Sequence, residues 1–294
     1  MGWLSVSYSY RQKEGVMLTL SRVAPHDWEF IYPDIYDDLM GEFDRGCESY
    51  EEGDLDEAER IFRAVLAQMP DHLDAIHHLA LVLSDRNLFD EARDLWEQAV
   101  RIGRKAFPQD FEIEGDLLEW GWLENRPFVR CLHGLALARY EEEETEEALK
   151  LFQELLSLNP NDNQGVRAMA VEALFKLGRF QDALEIAEEY PDDVMPETLY
   201  GRAFALFKLR RRQEATIALQ KAIEYLPLVG KELLKTKHRL PRTARPDIVT
   251  VGGADEAYYY WEYSGRFWKQ DAEALEWLRE IIGQATKAHR GTNR

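Results

Sequence analysis

The chain has 294 residues, with 36 Lys and Arg against 55 Asp and Glu and a formal net charge of −19. That acidity argues against a polyanion as the main partner, because such binding draws on Lys and Arg displacing counterions from phosphates. The 45% apolar content excludes wholesale disorder. Two cysteines, Cys47 and Cys131, exclude a disulfide scaffold and fit a reducing compartment. No apolar run reaches the ~20 residues that span a bilayer.

In chain order, Met1–Thr19 alternates polar and apolar residues around Ser5-Val6-Ser7-Tyr8-Ser9-Tyr10. It reads as strand-like and lacks the continuous apolar block of a signal peptide. Met17 stands as an alternative start. Residues 1–32 are therefore set aside as an N-terminal extension.

From about residue 33 the pattern becomes helical and repeats. Ala58, Phe62, Val65 and Pro70 are spaced by four, three and five residues. Ala148, Phe152, Leu155 and Pro160 keep the same steps, as do Ala215, Leu219, Ala222 and Pro227. Ala92, Trp96 and Ala99 keep the first two steps, with Arg104 in place of proline, and Ala58 to Ala92 is 34 residues. An imperfect unit holds Ala183, Ala187 and an early Pro191. A second helical stripe precedes each segment: Ile76, Leu79, Ala80 and Leu83; Leu132, Leu135 and Ala136; Val166, Met169 and Ala170; Leu199, Ala203 and Leu206. Small residues let two helices cross closely, the large residue fills the space beside the crossing, and proline ends the second helix.

Two stretches fall outside this rhythm. Residues 104–125 interrupt the array, with six acidic residues within Asp110–Glu124 and two tryptophans, Trp120 and Trp122. Asp116–Leu123 is expected to be helical, and Asn125 to cap the helix that follows, with Pro127 in its first turn. Residues 228–294 open with a basic connection, Lys231–Arg245, holding six basic residues and one acidic. Two helices are then expected, near Ala254–Lys269 and Asp271–Ala285, with Tyr258, Trp261, Phe267, Trp268, Leu275, Trp277 and Leu278 covering the last repeat face.

On these residues the chain resembles the tetratricopeptide-repeat (TPR) family, over about Leu39–Pro227 in five units. The resemblance implies an all-α fold, a right-handed α-α superhelix, with residues 33–227 as the repeats and 228–294 as connection and helical cap. The tail, through Tyr225-Leu226-Pro227-Leu228-Val229, Lys231–Leu234, Gly253–Ala257, Trp268 and Ala274-Leu275-Glu276-Trp277-Leu278, also resembles the suppressor-of-tumorigenicity-7 family, from which no site residue follows.

Catalytic signatures are missing: no HExxH helix, phosphate-binding Gly-x4-Gly-Lys-Ser/Thr loop or Gly-x-Ser-x-Gly elbow occurs. His72, His77 and His78 cluster, and His133 lies two residues from Cys131, but these spacings put no set of ligands on one helical face. No metal, cofactor or catalytic residue is expected. The acidic runs Asp37–Glu59 and Glu141–Glu147 read as solvated faces.

The repeat resemblance places a partner groove along the first helix of each unit. Its lining would be Phe43, Cys47 and Tyr50; His77, His78 and Leu81; Arg130, His133 and Leu137; Gln164, Arg167 and Val171; and Tyr200 and Phe204. Arginine forks suit carboxylates, so Arg130 and Arg167 suggest an acidic group or chain terminus on the partner, unless both pair with local carboxylates such as Glu172. Phe43, Cys47 and Gly134 stand where the family's carboxylate-clamp residues would be, which argues against a chaperone-tail adaptor. Self-occupation of the groove, by the N-terminal segment or by Lys231–Arg245, is the rival arrangement. The expected function is a non-catalytic, cytoplasmic interaction scaffold that binds a protein or peptide, with neither membrane nor nucleic acid as partner. The alternatives are a metal-dependent hydrolase using His77, His78 and His133, and an RNA-associated adaptor using Lys231–Arg245 and Lys287–Arg294.

Overall fold

The computed structural model describes residues 17–245 and 248–291, with side chains described as far as 284. The strand-like run before residue 17 and the side chains of Lys287–Arg294 lie outside the described residues.

Five helical hairpins run through the chain. They are α1 (Ile35–Glu51) with α2 (Leu55–Gln68), α3 (Leu73–Asp85) with α4 (Phe89–Lys105), α5 (Arg126–Glu141) with α6 (Thr145–Leu158), α7 (Val166–Lys176) with α8 (Phe180–Glu189), and α9 (Pro196–Lys208) with α10 (Arg212–Tyr225). The fold is a TPR-like solenoid of stacked helix pairs, and the shortened second helix of the fourth pair is α8. Each hairpin turns in three residues, and the middle one is always left-handed: Gly53, Asn87, Glu143, Gly178 and Arg210. Glycine and asparagine take this conformation cheaply; Glu143 and Arg210 hold it against their Cβ. Side chains help start the helices, as Asp54 accepts the Glu57 amide (3.1 Å) and His72 Nδ1 accepts the Ala75 amide (3.1 Å). The repeat residues sit where their sizes require. Ala58, Phe62, Val65, Ala148, Phe152, Ala215, Leu219 and Ala222 are all fully enclosed. A Cβ at Gly46 would lie 2.6 Å from Phe62, so only glycine allows α1 and α2 to approach this closely.

The chain divides into two compact units, Met1–Gln164 and Gly165–Arg294, each with its own packing. The division falls inside the repeat array, so the N-terminal extension belongs with the first unit and the helical cap with the second.

In the first unit the extension contributes an antiparallel hairpin, β1 (Thr19–Ala24) and β2 (Asp27–Ile31), paired Leu20 to Phe30 and Arg22 to Trp28. It is a small two-stranded addition to an otherwise helical fold. Leu20, Trp28 and Phe30 alternate onto one buried face. The interruption at 104–125 docks on this hairpin: the Trp28 amide donates to the Leu117 carbonyl (3.0 Å) and the Leu117 amide to His26 (2.7 Å). Asp116–Leu123 is therefore extended and turn-like, not helical, because its backbone groups are engaged by a strand; a 3-10 turn at Leu123–Asn125 leads into α5. Asn125 occupies the N-cap position of α5, but its side chain makes no capping bond. Its buried side chain accepts the Phe30 amide (3.1 Å) and donates to the Trp28 carbonyl (2.9 Å), which ties β2 to the interruption. Pro127 does occupy the first turn of α5.

In the second unit a short helix α11 (Pro227–Leu233) leads to the connection, then to α12 (Ala254–Lys269) and α13 (Ala272–Gly291). Trp268, Trp277 and Tyr260 are buried against α9, as expected of a cap, and Leu278 is buried near Gly230 of α11. The connection stays local: the His238 ring stacks on Trp261 at 3.7 Å, and Glu232 holds both His238 and Lys235.

Candidate partner-binding cleft

In the first unit, α3, α4 and α5 enclose a cleft of about 540 Å³. Helical periodicity builds its walls. His77 and Leu81 lie one turn apart on α3; Arg130, His133, Gly134 and Leu137 follow the same stripe on α5. Ala92 and Trp96 of α4 lie between these walls. A Cβ at Gly134 would meet the Trp96 indole at 2.5 Å, so glycine is what admits the ring between the helices.

The polar groups of the cleft are largely committed within the chain. Trp96 Nε1 donates to His77 Nδ1 at 3.1 Å, which fixes the neutral tautomer with its proton on Nε2. Burial, with His78 and Arg130 nearby, drives His77 well below the usual imidazole range, and burial also lowers His133. Arg130 donates from Nη1 to Asp74 at 2.7 Å and lies over the Trp120 ring. At the mouth, Glu142 accepts from Arg93 at 2.6 Å, and Glu141 is exposed.

Thus His77, Leu81, Arg130, His133 and Leu137 share one cleft. Phe43, Cys47, Tyr50 and His78 do not line it. Phe43 is enclosed by Phe62, His72 and His78, and His78 Nδ1 donates to the Asp74 carbonyl at 2.8 Å. Burial pushes the Cys47 thiol up to about 12, far from a thiolate. Tyr50 donates to Asp85 at 2.8 Å, and burial together with that carboxylate raises it to about 12. Gln164 accepts from Asn159 at 3.1 Å.

The second unit covers its own inner positions. Tyr200 is 0% exposed, donating to the Leu226 carbonyl and accepting from the Gly230 amide, with Tyr260 and Trp268 on its ring. Phe204 packs on Trp268 and Phe175, and Val171 is buried. All three are expected on an open wall; α11 and α12 enclose Tyr200, α12 covers Phe204, and Val171 lies against Gly201 of α9. Arg167 donates from Nε to Asp193 at 2.7 Å. Burial raises Asp193, but hydrogen bonds from Arg167, Thr198 and the Met195 amide outweigh it and hold the carboxyl below its usual value. The alternative of local pairing therefore applies to both arginines, with Asp74 and Asp193 as partners; Glu172 is taken by Arg266 instead.

Lining residues that the sequence did not nominate include Ser84, Phe89, Trp96 and Ala138. Trp96 occupies the large position of the repeat and so reads as core. Phe89, 53% exposed at the start of α4, was legible only as an aromatic outside the repeat spacing. Among the described residues, no group of three His, Cys, Asp or Glu side chains is placed to hold a metal ion, and no helix is long and apolar enough to cross a membrane.

The chain is similar in structure to YrrB, described as a TPR protein with an unusual peptide-binding site. The identity is 19% and the TM-score 0.49, covering 63% of this chain and 85% of that one. It is also similar to MamA, at 18% identity and a TM-score of 0.48, covering 68% of this chain and 97% of that one. Neither likeness bears on the cleft. No curated protein matches the chain. The profile of the family described as transcriptional repressor TCF25 matches residues 54–293. The tail residues fall within that match, which displaces the resemblance to the suppressor-of-tumorigenicity-7 family. Since the match spans most of the sequence, the protein belongs to the transcriptional repressor TCF25 family.

Proposed function

We propose that this protein is a non-catalytic interaction scaffold whose α3–α4–α5 cleft receives a segment of a partner protein. The observation that carries the reading is the cleft itself. Its volume of about 540 Å³ lies within the usual range for ligand sites, its walls are mainly apolar, and Phe89 stays exposed at its edge. Burial lowers the basicity of both histidines, His77 Nδ1 is taken by Trp96 and the arginine is committed to Asp74, which disfavours the hydrolase alternative. In the second unit the inner aromatics are already covered by the chain's own cap, so the partner's contact belongs to the first unit. The family description adds a setting: a transcriptional repressor works in the nucleus, in place of the cytoplasmic home expected from composition.

The test is site-specific photocrosslinking in cells. Leu137→p-benzoylphenylalanine is expected to give a discrete adduct with a partner protein, and Ile217→p-benzoylphenylalanine, on an exposed face of α10, to give none of that mass. Adducts of the same mass from both positions would remove the cleft reading. Fractionation of the same cells reads the setting: recovery of the protein from the nuclear fraction fits repression, and exclusive cytoplasmic recovery contradicts it.

A further inference from the structure

We infer that the cleft selects a bulky apolar side chain adjacent to a basic residue, and not the acidic group that its arginine suggests. The inference rests on the cleft reading above and names the chemistry of the segment bound there.

Three observations lead to it. First, Leu81, Phe89, Trp96, Leu137 and Ala138 supply an apolar pocket of about 540 Å³, room for one or two large side chains. Second, nothing in the pocket presents uncompensated positive charge. Arg130 is paired with Asp74, whose side chain is only 9% exposed, so the attraction of the guanidinium for an incoming carboxylate is already offset. His77 offers an Nε2–H, a neutral donor suited to a backbone carbonyl or a hydroxyl, since its Nδ1 is taken by Trp96. Third, the mouth is negative. Glu141 stands exposed on the rim with Glu142 beside it, and Glu143, Glu144, Glu146 and Glu147 follow in the α5–α6 turn and the start of α6. Arg93, Arg139 and Lys150 offset Glu142, Glu144 and Glu147, three of these six carboxylates, so the rim keeps a net negative charge. An acidic segment would meet repulsion at the rim and no free cation inside. A lysine or arginine next to an apolar anchor would be drawn to the rim while the anchor filled the pocket.

The experiment probes the full chain with a positional array of acetylated, amidated decapeptides and remeasures the enriched sequences by fluorescence anisotropy. Acetylation and amidation remove terminal charges, so a free carboxylate is supplied only in a second, unamidated series. The expected result is enrichment of Phe, Leu, Trp or Met with Lys or Arg within two positions. Exchanging that Lys for Glu should weaken binding about tenfold, and the same peptide should bind Ala138→Trp, whose pocket is filled, at least as poorly. Glu141→Lys should invert the charge preference. Leu137→Ser serves in place of Ala138→Trp if the latter loses its thermal transition. Enrichment of acidic or free-carboxylate peptides that lose binding to the filled pocket would overturn the inferred chemistry while leaving the cleft in place. Peptides that bind Ala138→Trp as well as wild type would overturn the cleft itself, and an array with no enrichment overturns the inference.

Discussion

His72 shows how one side chain sets both a helix start and a pH limit. It caps α3 through Nδ1, with the rings of Tyr36 and Phe43 against it at 4.5 and 5.3 Å. Burial lowers its pKa to about 4, against the opposing pull of Asp74 and Asp71. The unfolded ring protonates near 6.5, so between the two values the unfolded state binds more protons. This group's contribution is therefore complete above about pH 6.5 and is lost as pH falls through 4, a decrement of about 3 kcal/mol. His72→Asn keeps a capping acceptor without the titration, and its urea midpoint should fall less between pH 7 and 4 than that of wild type; parallel curves would contradict the assignment. The sequence gives no sign of this role, because a histidine is not among the common capping residues. Nor could it reveal that Arg130 pairs with Asp74, 56 residues away, since the pair exists only once α3 and α5 are stacked. By contrast, Trp96 is legible by size as a large repeat position, though its contact with Gly134 is not.

At the scale of elements, the repeat helices were readable because each depends on a local rule. Apolar stripes recur at three and four residues, small residues mark crossings, and the turns contain Gly53, Asn87 or Gly178 where a left-handed residue is needed. The β hairpin and the interruption followed no such rule. Their order comes from bonds between distant segments: Trp28 with Leu117, Leu118 with the Leu158 carbonyl, and Asn125 with both Phe30 and Trp28. This is why local patterning predicts a helix over Asp116–Leu123 and a capping side chain at Asn125, where the structure has an extended segment and a tie to β2. Phe30 is the anchor, fully buried among Phe107 and Phe128 at 6.3 and 5.3 Å. Phe30→Ala is expected to cost about 3–5 kcal/mol. Hydrogen exchange should then show the amides of Trp28, Leu117 and Leu118 losing protection first, ahead of those in α3 and α4. Uniform loss across the first unit would mean that the hairpin is not a separable layer.

At the scale of the molecule, the formal charge of −19 is unevenly placed. Asp37–Glu59, Asp110–Glu124 and Glu141–Glu147 concentrate acid in the first unit, and Lys231–Arg245 lies in the second. The first unit therefore carries both the open apolar cleft and the acidic rim, while the second encloses its inner aromatics beneath α11 and α12. The central claim is that partner binding runs through the α3–α4–α5 cleft. The direct measurement is the affinity of the crosslinked partner segment, by calorimetry, for wild type, Leu137→Glu and Ile217→Glu, each first shown to melt cooperatively. A loss of about tenfold or more for Leu137→Glu, with Ile217→Glu within about twofold of wild type, is the predicted result. Equal affinity of all three proteins would contradict it.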